Sequence, residues 1–300
     1  MRDESWAPVV PHTRESLVRR LREPLVTWVA AMAVGAVLPA HAQVTPASRD
    51  LVLAAGTTLY DSGLLDSIVP IFERQTGYHV RVVGCATAQC FRLGQGGDAD
   101  VLITHAPAAE SAFVRAGNVA RRMVVAWNYF TIAGPAGDPA GVARSPTAAA
   151  ALLAVAQAHA TFVSRGDSSG TNQRELSLWR AAGGRPEWPG YIESGQGMAA
   201  TLRLANERRA YVLCDRATLR ALRAVLDLVA LRPPEPNLIN VYHVLELVPA
   251  GRPHLNVAGA RSFAQWLVSP SAQDAIARFG VAQFGEPVFT AARGVEPPLH

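Results

Sequence analysis

From Asp50 onward, short apolar runs alternate with longer segments in which apolar residues recur every three or four positions. Residues 51–55, 79–83 and 101–103 read as strands, and 63–75, 89–93 and 108–116 as amphipathic helices. Strand–helix alternation of this kind predicts an α/β fold with a mostly parallel sheet flanked by helices. Residues 124–127 and 129–133 read as two closely spaced strands that cross into a second lobe. There the rhythm resumes with a helix over 147–159, a strand over 161–163 and a helix over 173–182. A Gly/Pro-rich connection leads to a helix over 198–208 and a strand over 211–213. A strand over 241–247 and helices over 257–268 and 272–279 bring the chain back to the first lobe. The expected organisation is lobe one over 43–131 and 240–284, lobe two over 132–239, and a Pro- and Gly-bearing tail over 285–300.

The N-terminus departs from this pattern. Arg14, Arg19, Arg20 and Arg22 precede an apolar run over 25–38, and Ala40-His41-Ala42 follows. A basic region, an apolar core and an A-x-A site describe a secretory signal, so residues 1–42 are predicted to be a signal peptide cleaved after Ala42, with export to the periplasm. The run falls short of the ~20 apolar residues that span a bilayer. An uncleaved signal anchor is the alternative, and Arg19-Arg20 leaves the twin-arginine and general export routes both open.

Charge narrows the chemistry. The net charge is +4 with 28 Lys plus Arg, and every one of these is arginine, which excludes a Schiff-base or P-loop lysine. The basic residues are interspersed with acidic ones, an arrangement that argues against a nucleic-acid partner. In an oxidising compartment, Cys85 and Cys90 would form a local disulfide or remain buried thiols, with Cys214 left over. Their spacing is not C-x-x-C and no histidine pair lies nearby, so no metal site is expected.

Strand ends are where ligands bind in open α/β sheets. Three of them carry glycine or hydroxyl residues ahead of a helix: Gly56-Thr57-Thr58, Ala86-Thr87-Ala88, and the run from Ser164 to Thr171. Helix N-termini with hydroxyl donors and one full positive charge, Arg165, suit a small dianion. Taken singly, each loop could merely cap a helix. Gly166-Asp167-Ser168-Ser169-Gly170 also fits G-x-S-x-G, the elbow of serine hydrolases with Ser168 as nucleophile. That reading would need His243 or His254 with Asp215 or Asp227 as partners.

Together, Asp61-Ser62-Gly63-Leu64-Leu65, the run Leu93 to Leu102 (LGQGGDADVL), Ser164-Arg165-Gly166-Asp167-Ser168-Ser169-Gly170-Thr171, Gly195-Gln196-Gly197-Met198 and Asp215-Arg216 resemble the tungstate-binding components of ABC importers. The resemblance runs from about Leu51 to Phe284. It implies a two-lobed periplasmic binding protein of type II, a monomer without cofactor or enzymatic activity. Such a protein closes on an oxyanion in the cleft between its lobes and hands it to an inner-membrane permease. It places the ligand on Thr57, Thr58, Thr87, Arg165, Ser168, Ser169, Gly170 and Thr171, with molybdate or phosphate as alternatives to tungstate. Ala86-Thr87-Ala88 stands where the family has Gly-Thr-Gly, so a glycine-dependent nest would be altered here. Asp167 would repel an unprotonated anion unless it pairs with Arg165 or caps the next helix. Asp215-Arg216 is expected to form an internal ion pair.

Overall fold

A computed structural model describes residues 48–297; the expected signal peptide lies outside the described residues. Strand β1 (Asp50–Gly56) is buried on both faces, as its nearly unbroken apolar run requires of a central parallel strand. It pairs in parallel with β2 (His79–Cys85) on one side and with β3 (Val101–Thr104) on the other. The crossovers are helices: α1 (Thr57–Asp61) and α2 (Leu64–Thr76) after β1, and α3 (Thr87–Gly96) after β2. Helix α2 buries Leu64, Leu65, Ile68, Val69 and Phe72, one stripe at helical spacing. After β3 comes α4 (Pro107–Arg115), and then the chain enters β4 (Val119–Pro135).

Where the sequence suggests two strands, β4 is a single strand of 17 residues. Asn128, the polar break between the two apolar runs, is buried inside it and accepts a hydrogen bond from Asn240 Nδ2 at 2.9 Å. The first part of β4 pairs antiparallel with β9 (Ile239–Leu247), which in turn pairs with β3. Its last part, from Phe130, pairs with β7 (Tyr211–Asp215) and β8 (Leu228–Ala230). With β5 at Phe162–Ser164 and β6 at Tyr191–Glu193, the order β2-β1-β3-β9-β4-β7-β5-β6 therefore runs continuously, with β4 shared. Beyond β7 stand β5 and β6, both parallel additions.

Apolar packing is divided on either side of β4. One core gathers residues of β1, α2, β9, α9 (Val257–Leu267) and α10 (Pro270–Arg278) around Phe72, Phe263 and Trp266. A second gathers α5 (Ala148–Gln157), β5 and α6 (Gly170–Ala181) around Phe162, Trp179 and Tyr211, and a third packs α7 (Met198–Glu207) against β7. Three-residue β6 and β8 and the short α8 (Arg216–Ala221) were not anticipated, being too brief to carry a period.

The residues after α11 (Val281–Phe284), read as a tail, instead return to the fold. Phe289 is buried in the first core, and β10 (Thr290–Ala291) pairs with β4 at Trp127 and Ala126. Gln273, itself buried, accepts from Arg293 N–H. Asp215 is also not an ion-pair partner of Arg216. It is buried as the N-cap of α8, accepting from Thr218 N–H at 2.8 Å, and burial pushes its carboxyl up to about 6.

Candidate functional site

The ends of β1, β2 and β5 open on a common cavity of about 440 Å³, which also receives the loop Gly195-Gln196-Gly197 ahead of α7. Thr57, Arg165 and Ser168, all expected at the site, line it. Ala86, Ala88, Gln89, Arg92, Gly166 and Asp167 complete most of the wall.

The β5–α6 loop is built by its own hydrogen bonds. Arg165, only 1% exposed, donates from Nη1 to Thr57 Oγ1 at 2.9 Å and pairs through Nη2 with the Asp167 carboxylate. Asp167 Oδ1 also accepts from Ser169 N–H at 3.1 Å. Both oxygens of Asp167 are thus engaged within the loop. Ser169 caps α6 by accepting from Asn172 N–H, and Asn172 Oδ1 accepts from Ser168 N–H. Gly166 and Ser168 hold left-handed conformations, at φ 60° and 59°, which turn the chain into the helix. Beneath the loop, buried Glu175 accepts from Ser164 Oγ, Tyr191 OH and Trp179 Nε1, and burial raises its carboxyl above the usual range.

The β2–α3 loop is held differently. Ala86 is the N-cap of α3 with φ −69°, an extended conformation open to any residue, so Ala86 and Ala88 do not disturb a left-handed nest here. No side chain caps this helix. Cys85 and Cys90 are joined by a disulfide across the loop, and Cys214 is a buried free thiol.

Three of the expected ligands carry buried polar atoms without a hydrogen-bond partner: Thr87 Oγ1, Arg165 Nε and Thr171 Oγ1. Such atoms are rare in folded proteins and mark places where a further partner fits. Two of the five N–H groups of Arg165 are engaged, with Thr57 and Asp167, and Nε has no partner.

Of the expected ligands, Thr58, Thr87, Ser169, Gly170 and Thr171 are not among the residues that line this cavity. Thr58 is fully buried, and its hydroxyl lies 3.2 Å from His105 Nε2. Asn240 Nδ2 donates to Asn128 Oδ1 and Tyr242 OH, so Asn240 Oδ1 accepts from His105 Nδ1–H at 2.9 Å. The bare Nε2 of His105 therefore accepts from the Thr58 hydroxyl, which has no hydrogen left for a ligand. Burial pushes the His105 imidazole down to about 4, which keeps it neutral. Gly170 is required by close approach: a Cβ there would lie 2.6 Å from the His105 carbonyl oxygen. It faces a separate cavity of about 460 Å³ lined by Arg174 and Arg180. Ser169 serves as a cap and is 2% exposed.

Arg92 and Gln89 were missed as cavity residues. Ala88 and Arg92 are four positions apart on α3 and share a face, a spacing that could have singled out Arg92 once the helix start was known. Asp61, from the first motif, accepts from Ala199 N–H at 3.0 Å and ties α1 to the start of α7.

The geometry does not support Ser168 as a nucleophile. Among the described residues its hydrogen-bond partners are Asn172 and Gln173 and no histidine, and His243 is buried between Glu110 and Glu296 at 2.9 and 3.1 Å.

A family model described as the PBP superfamily domain matches residues 41–271. The tungstate-binding protein TupA of Peptoclostridium acidaminophilum is 38% identical over 248 residues, covering 82% of this chain and 87% of that protein. Among solved structures, the tungstate ABC transporter protein of Geobacter sulfurreducens is 40% identical, covering 77% of this chain and 98% of its own, with a TM-score of 0.72. TupA of Desulfovibrio alaskensis G20 is 37% identical, covering 81% and 98%, with a TM-score of 0.66.

Proposed function

Since this chain belongs to the PBP superfamily and, within it, to the tungstate-binding proteins of ABC importers, we propose that it captures tungstate outside the cytoplasm and passes it to an inner-membrane permease. It is a binding protein and not an enzyme. The observation that carries the ligand reading is the set of unpartnered buried donors, Arg165 Nε and Thr87 Oγ1, on two loops that open on one cavity. A tetrahedral dianion would receive a hydrogen bond from each, and further ones from Thr57, Ser168 and Gln196 on the cavity wall.

Thr57 and Thr87 follow β1 and β2, on one side of β4 in the sheet, and Arg165 and Ser168 follow β5, on the other side. An anion held by both would favour a closed arrangement of two lobes about β4.

Asp167 bears on the choice of anion. Hydrogen phosphate carries a proton that needs an acceptor, whereas tungstate carries none near neutral pH. Both Asp167 oxygens accept within the loop, from Arg165 and Ser169, which offsets the repulsion a bare carboxylate would exert on an unprotonated oxyanion.

Calorimetric titration of the protein beginning at Gln43 with tungstate, molybdate, sulfate and phosphate tests the reading. Tungstate should bind stoichiometrically and more tightly than sulfate or phosphate; tighter phosphate binding would overturn it. Export is proposed with it, and mass spectrometry of periplasmic protein should find Gln43 at the N-terminus.

A further inference from the structure

The Cys85–Cys90 disulfide spans a sequence separation of 5 and encloses Ala86, Thr87, Ala88 and Gln89. Ala86, Ala88, Gln89 and Cys85 itself line the cavity, and Thr87, between them, carries a buried hydroxyl without a partner. This is the stretch with the least hydrogen-bonded support at the site. Its helix has no side-chain cap, and among the described residues no side chain hydrogen-bonds to residues 86–89. Both cysteines are buried, at 1% and 0% exposure, in a small core with Ala54, Leu102, Phe113 and Leu245. Reduced thiols would still fit that core as small apolar groups, so the bond is not needed to fill space.

We propose that the Cys85–Cys90 disulfide is a positioning element of the anion site, holding the Thr87 hydroxyl and the start of α3 in binding geometry, so that the oxidised chain binds oxyanion more tightly than the reduced one. The proposal rests on the oxyanion reading above. Without the bridge, the loop between β2 and α3 would sample more conformations in the free protein, and binding would have to order it again. Closing the bridge takes two electrons and two protons from the thiols. A disulfide of another thiol compound accepts them and leaves as the dithiol. Full affinity is then acquired in an oxidising compartment, where such exchange proceeds, and a chain still held reduced retains its ligand less well.

The test titrates tungstate into oxidised wild type, wild type reduced with dithiothreitol, and the double variant Cys85→Ala/Cys90→Ala, with the melting temperature of each apo form measured alongside. Reordering about one residue's worth of backbone predicts a loss of roughly tenfold or more in affinity for both bridgeless forms. Reoxidation of the reduced wild type should restore it. Equal affinity in all three forms would overturn the proposal. So would unfolding of both bridgeless forms, since the bridge would then serve the fold as a whole. Failure of the oxidised wild type to bind any oxyanion would instead sink the ligand reading, and this proposal with it.

Discussion

Two loops open on the same cavity and are stabilised by opposite means. The β5–α6 loop is cross-linked by polar bonds: Arg165 to Thr57 and Asp167, Asp167 to Ser169, Asn172 to Ser168, with Glu175 gathering three donors beneath it. The β2–α3 loop has a covalent staple and alanines in place of caps. The first solution places a full charge at the site, which has to be fixed by neighbours because an unpaired buried charge is costly. The second holds only a neutral hydroxyl and backbone N–H groups, for which limiting the conformations of the loop is enough. Affinity should therefore depend on Arg165 through charge and on Thr87 through position.

The severest way to break this contrast is Arg165→Ala. It removes the charged donor and also leaves Asp167 and Thr57 without their partner, so tungstate affinity should fall more than about a hundredfold by titration. Arg165→Lys keeps the charge but loses the planar fork and should bind weakly yet detectably.

Acid should act next. His105 lies behind the end of β1 and the β5–α6 loop, its ring against Gly56 and its carbonyl against Gly170. Its folded pKa of about 4 lies below the unfolded value of 6.5, so the unfolded state binds the extra proton between those values. This contribution to stability is complete above pH 6.5, falls as pH drops toward 4, and changes no further below that. At about 1.4 kcal/mol per pH unit the loss reaches roughly 3 kcal/mol. Asp215, raised to about 6, titrates in the same window with the opposite sign, so the His105 contribution is read as the difference between thermal melts of wild type and His105→Gln across that window.

Thr58→Val leaves His105 Nε2 buried and without its donor, which should cost about 1–3 kcal/mol of stability while tungstate affinity changes little. A large loss of affinity with an unchanged melting temperature would place Thr58 at the ligand after all. Thr87→Ala should show the reverse pattern and the smallest energy. It should lose about 1 kcal/mol of binding with stability intact, measured by titration and melting together.

The contrast between Thr57 and Thr58 shows where sequence reasoning reached its limit. Adjacent threonines after a strand look alike, and only His105, 47 positions later, draws one of them inward. Ser169 and Gly170 were legible as parts of an anion loop, yet the cap on Asn172 and the contact with His105 are long-range or geometric facts. The long buried runs of β1, β3 and β9 were readable because apolar composition and burial coincide in central strands. By contrast, the union of β4 across Asn128 and the return of Phe289 to the core depend on partners distant in sequence.

Diffraction at a tungsten absorption edge from crystals grown with tungstate tests the central claim most directly. The account predicts one anomalous peak in the cavity shared by Arg165, Thr57 and Ser168, within hydrogen-bond reach of Thr87 Oγ1 and Arg165 Nε. A peak seated only in the other cavity, against Arg174 and Arg180, would contradict it.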